Sequence, residues 1–274
     1  MSAPPARKSL GQNFLVDRHA LATISRLCDA GPDDTVVEIG PGTGNLTEHL
    51  LQDSGAGRVV AIEKDQRMLP ELERRFAGEP RLELVAADVL DVDLGSLVPA
   101  GRRCVAVGNL PYYVATEIHF RLLAERRHFR RLVLMFQREV AERIVAHEGT
   151  AAYGIPSVVT ALWASAHVAL RLPPGAFRPP PKVHSAVVVA EVSEEARLAV
   201  GDPAGFTAFV RAALALRRKT MLNAIGARGA VPRDALTAAL LACGLPLTVR
   251  AEACSPETLA ALWRRLQDMA GETR

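Results

Sequence analysis

A doubly wound α/β domain followed by a small all-helical domain is the architecture this 274-residue sequence predicts. Three observations carry the prediction. From Thr35 onward, short β-branched runs alternate with amphipathic stretches, the pattern of βαβ units around a parallel sheet covered on both faces. The first run ends in a glycine-rich turn, Glu38-Ile39-Gly40-Pro41-Gly42-Thr43-Gly44. After Val192 the alternation stops, and the rest is helical in pattern with no convincing strand.

Val36-Val37-Glu38-Ile39 reads as the first strand and Leu46–Gln52 as the helix after it. Arg58–Ile62 is the second strand, Gln66–Phe76 a helix, Leu82–Ala86 the third strand, Cys104–Val107 the fourth and Leu132–Phe136 the fifth. Across a proline-rich connection, His167–Leu172 and His184–Val192 are close enough to form an antiparallel terminal pair. The total is about seven strands over roughly residues 1–192. Gly201, Asp202 and Pro203 mark a linker, and 193–274 is the helical domain. There Phe206, Phe209, Val210, Ala213 and Leu214 recur at helical spacing. Pro232 starts a further helix carrying Leu236, Leu240 and Leu241, and Ser255-Pro256-Glu257 opens the last with a cap, a first-turn proline and an early acid.

Composition narrows the class. With 49% hydrophobic and 23% charged residues, the chain is too apolar for a disordered protein and too evenly charged for a membrane protein. The longest stretch without a charge, Gly149–Leu170, has the length of a membrane span, but Gly154, Pro156, Ser157, Thr160, Ser165 and His167 interrupt it, so a buried helix followed by a strand fits better. Met1–Lys8 has no apolar signal core and reads as a frayed arm. Cys28, Cys104, Cys243 and Cys254 are far apart with no Cys-x-x-Cys pair, and the histidines have no ligand spacing, so reduced thiols, a cytoplasmic location and no metal are expected. A net charge of +3 permits a nucleic-acid partner without demanding one.

Ligand chemistry clusters at the strand ends. The glycines of the first turn let backbone approach a ligand closely, and the following helix offers unpaired amides. The Gly-x-Gly-x-Gly spacing of Gly40, Gly42 and Gly44 lacks the third glycine of the dinucleotide fingerprint. Glu63 ends the second strand, where an acid suits the two ribose hydroxyls of a nucleoside. NAD and S-adenosylmethionine share such a ribose, and an acid that starts the next helix is the plainer alternative. Asp88 follows the third strand and is either an acceptor for an adenine amine or a helix cap.

The fourth strand delivers Gly108-Asn109-Leu110-Pro111-Tyr112 to the same edge. An exocyclic adenine amine is a poor nucleophile because its lone pair is delocalised into the ring. The Asn109 amide oxygen and the Leu110 carbonyl suit acceptance of both amine hydrogens, which favours the form whose lone pair points at a methyl donor. Pro111 fixes the backbone and adds no competing N–H, and Tyr112 offers a ring for a flipped-out base. A sulfonium is already a strong methyl donor, so positioning and electrostatics supply the catalysis.

Gly11-Gln12-Asn13-Phe14-Leu15, Glu38-Ile39-Gly40-Pro41-Gly42, Asn109-Leu110-Pro111-Tyr112 and Phe177-Arg178-Pro179-Pro180-Pro181-Lys182-Val183 resemble, in order and spacing, the signature blocks of the KsgA-type ribosomal RNA adenine dimethyltransferases. The related Erm resistance methyltransferases share the early motifs. The triple proline before Lys182-Val183, and Arg217-Arg218-Lys219-Thr220 followed by Asn223, favour the KsgA type. The resemblance implies a Rossmann-like class I methyltransferase domain with S-adenosylmethionine held by Asn13, Leu15, Gly40, Gly42, Glu63, Asp88 and Asn109. It implies transfer of two methyl groups to each of two adjacent adenines near the 3′ end of small-subunit ribosomal RNA, on the immature small subunit. It also implies that Phe177 stacks on the target base opposite Tyr112, a core phenylalanine being the alternative. One departure is Tyr113-Val114-Ala115, where many relatives have Asn, Ile and a hydroxyl residue; Thr116 supplies a hydroxyl one place later.

A small net charge means that RNA must be held by local clusters. Arg211, Arg217, Arg218 and Lys219 are concentrated in the helical domain, with Arg211 and Arg218 at seven-residue spacing, and Lys182 is a further candidate. Arg126-Arg127 and Arg130-Arg131 form another cluster with no acid nearby in sequence except Glu125; a solvated face is the alternative. Three competing functions stay open: an Erm-type large-subunit methyltransferase, an assembly factor whose binding outweighs its methylation, and an NAD-dependent oxidoreductase, the last disfavoured by the glycine spacing and by Asn109-Leu110-Pro111-Tyr112.

Overall fold

The computed structural model describes residues 12–226 and 231–272. Met1–Lys8 and Gly11 lie outside the described residues. In chain order the elements begin with β1 (Phe14–Leu15), α1 (Arg18–Leu27), β2 (Thr35–Ile39), α2 (Asn45–Asp53), β3 (Arg58–Glu63), α3 (Leu69–Arg75) and β4 (Leu82–Ala86). Then come α4 (Leu94–Leu97), β5 (Cys104–Asn109), α5 (Ala115–Ala124), β6 (Phe129–Gln137), α6 (Arg138–Ile144), α7 (Ile155–Trp163), β7 (Ala164–Leu172), β8 (Phe177–Arg178) and β9 (Ser185–Val192). The last four are α8 (Pro203–Leu214), α9 (Met221–Gly226), α10 (Arg233–Ala242) and α11 (Pro256–Glu272).

All seven expected strands form one sheet, in the order β4-β3-β2-β5-β6-β9-β7, and β1 and β8 make a separate two-stranded pair. β2 pairs in parallel with both β3 and β5, β4 with β3, and β6 with β5. β9 runs antiparallel to β6 and lies next to β7 at the sheet edge. The order reverses between β2 and β5, so a crevice opens beyond their C-terminal ends, where sheets of this kind bind ligands. Every residue of β2 is buried, as a central strand covered on both faces requires. On one face, alternate residues Val105, Val107, Val133, Met135, Val187 and Val189 pack with Leu21 and Ile24 of α1 and Leu46 and Leu50 of α2. Full burial of a side chain such as Leu50 contributes about 1.5–3 kcal/mol.

Two compact units result, one of residues 1–141 with 166–194, the other of 142–165 with 195–274. The expected division into 1–192 and 193–274 therefore falls two residues short of the later boundary and misses that 142–165 sorts with the helices. That segment's only signal is its apolar character, which a buried helix of either unit would show. Within the helical unit, Ser157 Oγ donates to the Arg143 carbonyl at 2.6 Å and Tyr153 Oη donates to the Cys254 carbonyl at 2.9 Å. Asp202 caps α8 by accepting from the Ala204 and Gly205 amides, and Ser255 caps α11 by accepting from the Thr258 amide.

Three local expectations are corrected. α3 begins at Leu69 rather than Gln66, because Asp65 draws the chain into a turn: the Met68 amide donates to its carbonyl and the Arg67 guanidinium to its carboxylate. α8 stops at Leu214, so Arg211 and Arg218 do not share a helix face. Leu241 is exposed while Leu236 and Leu240 are buried.

Candidate active site

The glycine turn leaves β2 with Gly40, Gly42 and Gly44 all in the left-handed region, at φ of 69°, 56° and 81°. At Gly42 a Cβ would sit 2.8 Å from the Phe14 ring, so only glycine fits the turn against that neighbour. At Gly40 a Cβ would meet nothing within 4 Å, because the backbone there faces open space. That space is a cavity of about 610 Å³, counted to its solvent-open mouth, between the ends of β2, β3 and β5 and the segment entering β1. Gln12, Asn13, Gly40, Glu63, Lys64, Asn109 and Tyr112 are among the residues lining it. A smaller hollow of about 300 Å³ adjoins it, reaching Leu15, Glu38, Thr43 and Asn45.

Glu63, the last residue of β3, is buried and accepts from the Gly42 amide at 2.9 Å and the Asp65 amide at 2.7 Å. Burial raises its pKa, and these two amides only partly offset that. Glu38, buried behind the glycine turn, accepts from the Thr47 hydroxyl at 2.6 Å. Burial first, with the Glu63 charge adding to it, pushes Glu38 up to about 8 despite that hydrogen bond. Two carboxyls thus stand behind the loop where a nucleoside's polar groups would sit.

On the opposite wall, Asn109 Nδ2 donates to the Asn13 carbonyl at 2.8 Å. With the nitrogen committed, the oxygen is the amide atom available as an acceptor in the cavity. Leu110 and Pro111 continue the wall, and the Tyr112 hydroxyl shares a 2.6 Å hydrogen bond with Ser185 Oγ. Ser185 is fully buried at the start of β9; since β9 runs against β6, its first residue stands beside Gln137 at the C-terminal edge. Burial raises the Tyr112 pKa, partly countered by Ser185. The loop 109–112 is therefore tied at one end to the N-terminal segment and at the other to the reversed strand.

Other expected residues take different places. Asn13 lines the large cavity, and Leu15 is buried beside the small one, its carbonyl accepting from Asn45 Nδ2. Asp88 is half-buried and paired with Lys64, which lines the cavity. Burial opposes the Asp88 charge, but the Lys64 ammonium and the Leu90 amide outweigh it and hold the carboxyl below its usual range. Phe177 corrects the stacking expectation. It is 0% exposed, pairs with Leu15 across the β1–β8 ladder and belongs to the core cluster, so its ring has no free face for a base. Lys182 is exposed in the proline-rich connection, after the cis Arg178–Pro179 bond. Arg211, Arg217, Arg218 and Lys219 are all exposed. Arg217 donates to the Ala151 carbonyl, whereas Arg218 and Lys219 form no ion pair among the described residues.

The Arg130-Arg131 half of the 126–131 cluster is neutralised by folding. Arg130 pairs with Asp34 at 3.0 Å, Arg131 with Glu191 at 2.6 Å and Asp29 at 3.4 Å, and Arg127 lies 3.7 Å from Glu125. Arg130 and Arg131 also begin β6, at the sheet edge opposite the cavity. Sequence reading gave no role to Lys64, Asp65, Gln12 or Ser185; Gln12 donates to Asp65 at 3.0 Å at the cavity's edge. For Ser185 the available signal was its place two residues after the Phe177–Val183 block.

Comparison with known proteins decides the family. The model of a family described as ribosomal RNA adenine dimethylase matches residues 4–268. The chain belongs to that family. Among dimethylase relatives, a ribosomal RNA small subunit methyltransferase A from Geobacter metallireducens is 42% identical over 97% of this chain and 98% of its own length. One of the same name from a Ruegeria species is 47% identical, over 96% and 92%. The structure is similar in fold to a dimethyladenosine transferase from Plasmodium falciparum, with a TM-score of 0.79 at 24% identity over 94% of this chain and 98% of that one. It is also similar to the 23S rRNA methyltransferase ErmE, with a TM-score of 0.71 at 26% identity over 93% and 100%. Relatives at 40% identity and above carry the small-subunit name, and the Erm likeness is more distant.

Proposed function

We propose that this protein dimethylates the exocyclic amines of two adjacent adenines near the 3′ end of small-subunit ribosomal RNA. It is an S-adenosylmethionine-dependent ribosomal RNA methyltransferase acting on the small subunit's RNA. The observation that carries the chemical reading is the orientation of Asn109, whose nitrogen is held by Asn13 while its oxygen remains available at the cavity wall.

The residues present fit the methyl donor. Gly40 leaves the open cradle that a side chain would fill, and Glu63 supplies an acceptor where the ribose hydroxyls would lie. Gly42, Asn13 and Asn109 complete the wall, Leu15 borders the adjoining hollow, and Asp88 would receive the adenine amine once Lys64 releases it. When bound, S-adenosylmethionine supplies an electrophilic methyl on a positively charged sulfur. Asn109 Oδ1 and the Leu110 carbonyl accept the two amine hydrogens and keep the nitrogen lone pair directed into the cavity. Pro111 fixes that carbonyl, and the Tyr112 ring, anchored through its hydroxyl to Ser185, stacks on the extruded base. With the donor bound, the new N–C bond would form as the sulfur–methyl bond breaks, its electron pair staying on a now neutral sulfur, and the amine proton would leave to water through the open mouth. Preorganisation of this kind supplies on the order of 10²–10³ in rate per polar contact.

Lys182 and the exposed Arg211, Arg217, Arg218 and Lys219 are the proposed phosphate contacts, with residues 193–274 as the RNA- and ribosome-binding region. The immature small subunit in the cytoplasm is the proposed partner. Incubation with labelled S-adenosylmethionine and immature small subunits is expected to yield labelled dimethyladenine. Label appearing only on large-subunit RNA would move the assignment to the Erm type.

A further inference from the structure

Tyr113 is 63% exposed, the most exposed large hydrophobic among the described residues, yet it lines the same cavity as Asn109 and Tyr112. A large apolar ring left in water adds nothing to folding, and its hydroxyl makes no hydrogen bond among the described residues.

The two adjacent tyrosines lie in one tight turn, closed by the Val114 amide donating to the Pro111 carbonyl at 3.1 Å. Tyr112 is half-buried and tied to Ser185, whereas Tyr113 is exposed and lines the cavity together with Lys64. With Phe177 buried, Tyr113 is the ring at this rim with the largest free surface, and Lys64, paired with Asp88, lines the same cavity. A ring beside an ammonium is the combination that single-stranded nucleic acid uses, base on the ring and phosphate near the charge.

We propose that Tyr113 is a second stacking platform, one that takes the nucleotide flanking the target adenine and so holds the RNA strand while the target base enters the cavity. This rests on the RNA-methylating reading above. Its consequence is separable from chemistry, because Tyr113 acts on strand binding and Asn109 on the amine.

The test uses the full-length protein and a single-stranded oligoribonucleotide with two adjacent adenines and 2-aminopurine at the flanking position, whose fluorescence is quenched on stacking. Tyr113→Phe should keep the wild-type quenching and affinity. Tyr113→Ala should lose the quenching and bind roughly tenfold more weakly, since one base–aromatic stack corresponds to about ten- to hundredfold in binding. In steady state with immature small subunits, Tyr113→Ala should raise KM by a similar factor and leave kcat and the calorimetric affinity for S-adenosylmethionine unchanged. Quenching retained in Tyr113→Ala, or absent in the wild type, overturns the proposal. A wild type that binds and quenches but transfers no methyl refutes the functional reading and leaves the stacking platform standing.

Discussion

Replacing Glu38 with Gln should stabilise the protein increasingly as pH rises above neutrality. Glu38 is 1% exposed, and its pKa is pushed from 4.5 up to about 8 by burial, with Glu63 contributing and Thr47 partly offsetting. The unfolded chain releases this proton near pH 4.5, whereas the folded chain holds it to about pH 8. Between those values the unfolded state binds fewer protons, so stability falls as pH rises. His119 acts with the opposite sign: burial pushes its pKa from 6.5 down to about 4, so its contribution is lost as pH falls below 6.5. The window from pH 6.5 to 8 therefore lies outside the His119 transition, and comparison with Glu38→Gln separates the Glu38 contribution from that of Glu63, whose pKa burial also raises. The neighbouring Cys28 thiol, pushed up to about 12 by burial and by Glu38, stays protonated there. At about 1.4 kcal/mol per tenfold change in proton affinity, the advantage of Glu38→Gln should grow by roughly 1.5–2 kcal/mol across that window. Urea unfolding of both proteins at pH 6.5 and pH 8 measures it. A difference between the proteins that is independent of pH would refute a buried, proton-retaining Glu38.

Three further substitutions probe the site. Phe177→Ala should cost about 3–5 kcal/mol in unfolding free energy as a core truncation; an unchanged stability would return the ring to a surface role. Tyr112→Phe and Ser185→Ala remove the same 2.6 Å hydrogen bond, so in a double-mutant cycle on kcat their effects should overlap by about 0.5–1.5 kcal/mol, and strict additivity would show that the contact does not position the ring. Gly42→Ala forces a side chain to φ 56° and into the Phe14 ring, adding roughly 1–2 kcal/mol of backbone strain, so calorimetric affinity for S-adenosylmethionine should fall about tenfold; an unchanged affinity would mean that the turn does not approach the ligand.

The sheet was legible because its central strands are buried on both faces, leaving runs such as Val36-Val37 and Val59-Val60 free of polar residues. Gly40, Glu63, Asp88 and Asn109 were legible because each lies at or just beyond the C-terminal end of a parallel strand, and a parallel sheet brings those ends to one edge. What was not legible depends on contacts distant in sequence. Arg131 looks like an RNA-binding residue until Glu191, sixty positions later, is paired beside it. Phe177 sits in a motif, but its burial is decided by Leu15 and the two-residue β1, too short for any periodicity to announce. The Tyr112–Ser185 contact likewise requires knowing that β9 is reversed. Residues 142–165 resemble a helix of the sheet domain until Tyr153 and Cys254 are seen hydrogen-bonded.

The central claim is that Asn109, its nitrogen held by Asn13, turns an acceptor oxygen toward the adenine amine. Single-turnover methylation of immature small subunits by Asn109→Ala, with particle binding measured in parallel, tests it most directly. The account predicts a fall in the methyl-transfer rate of at least about a hundredfold with particle binding retained. A variant that binds the particle and forms dimethyladenine at near the wild-type rate would contradict it.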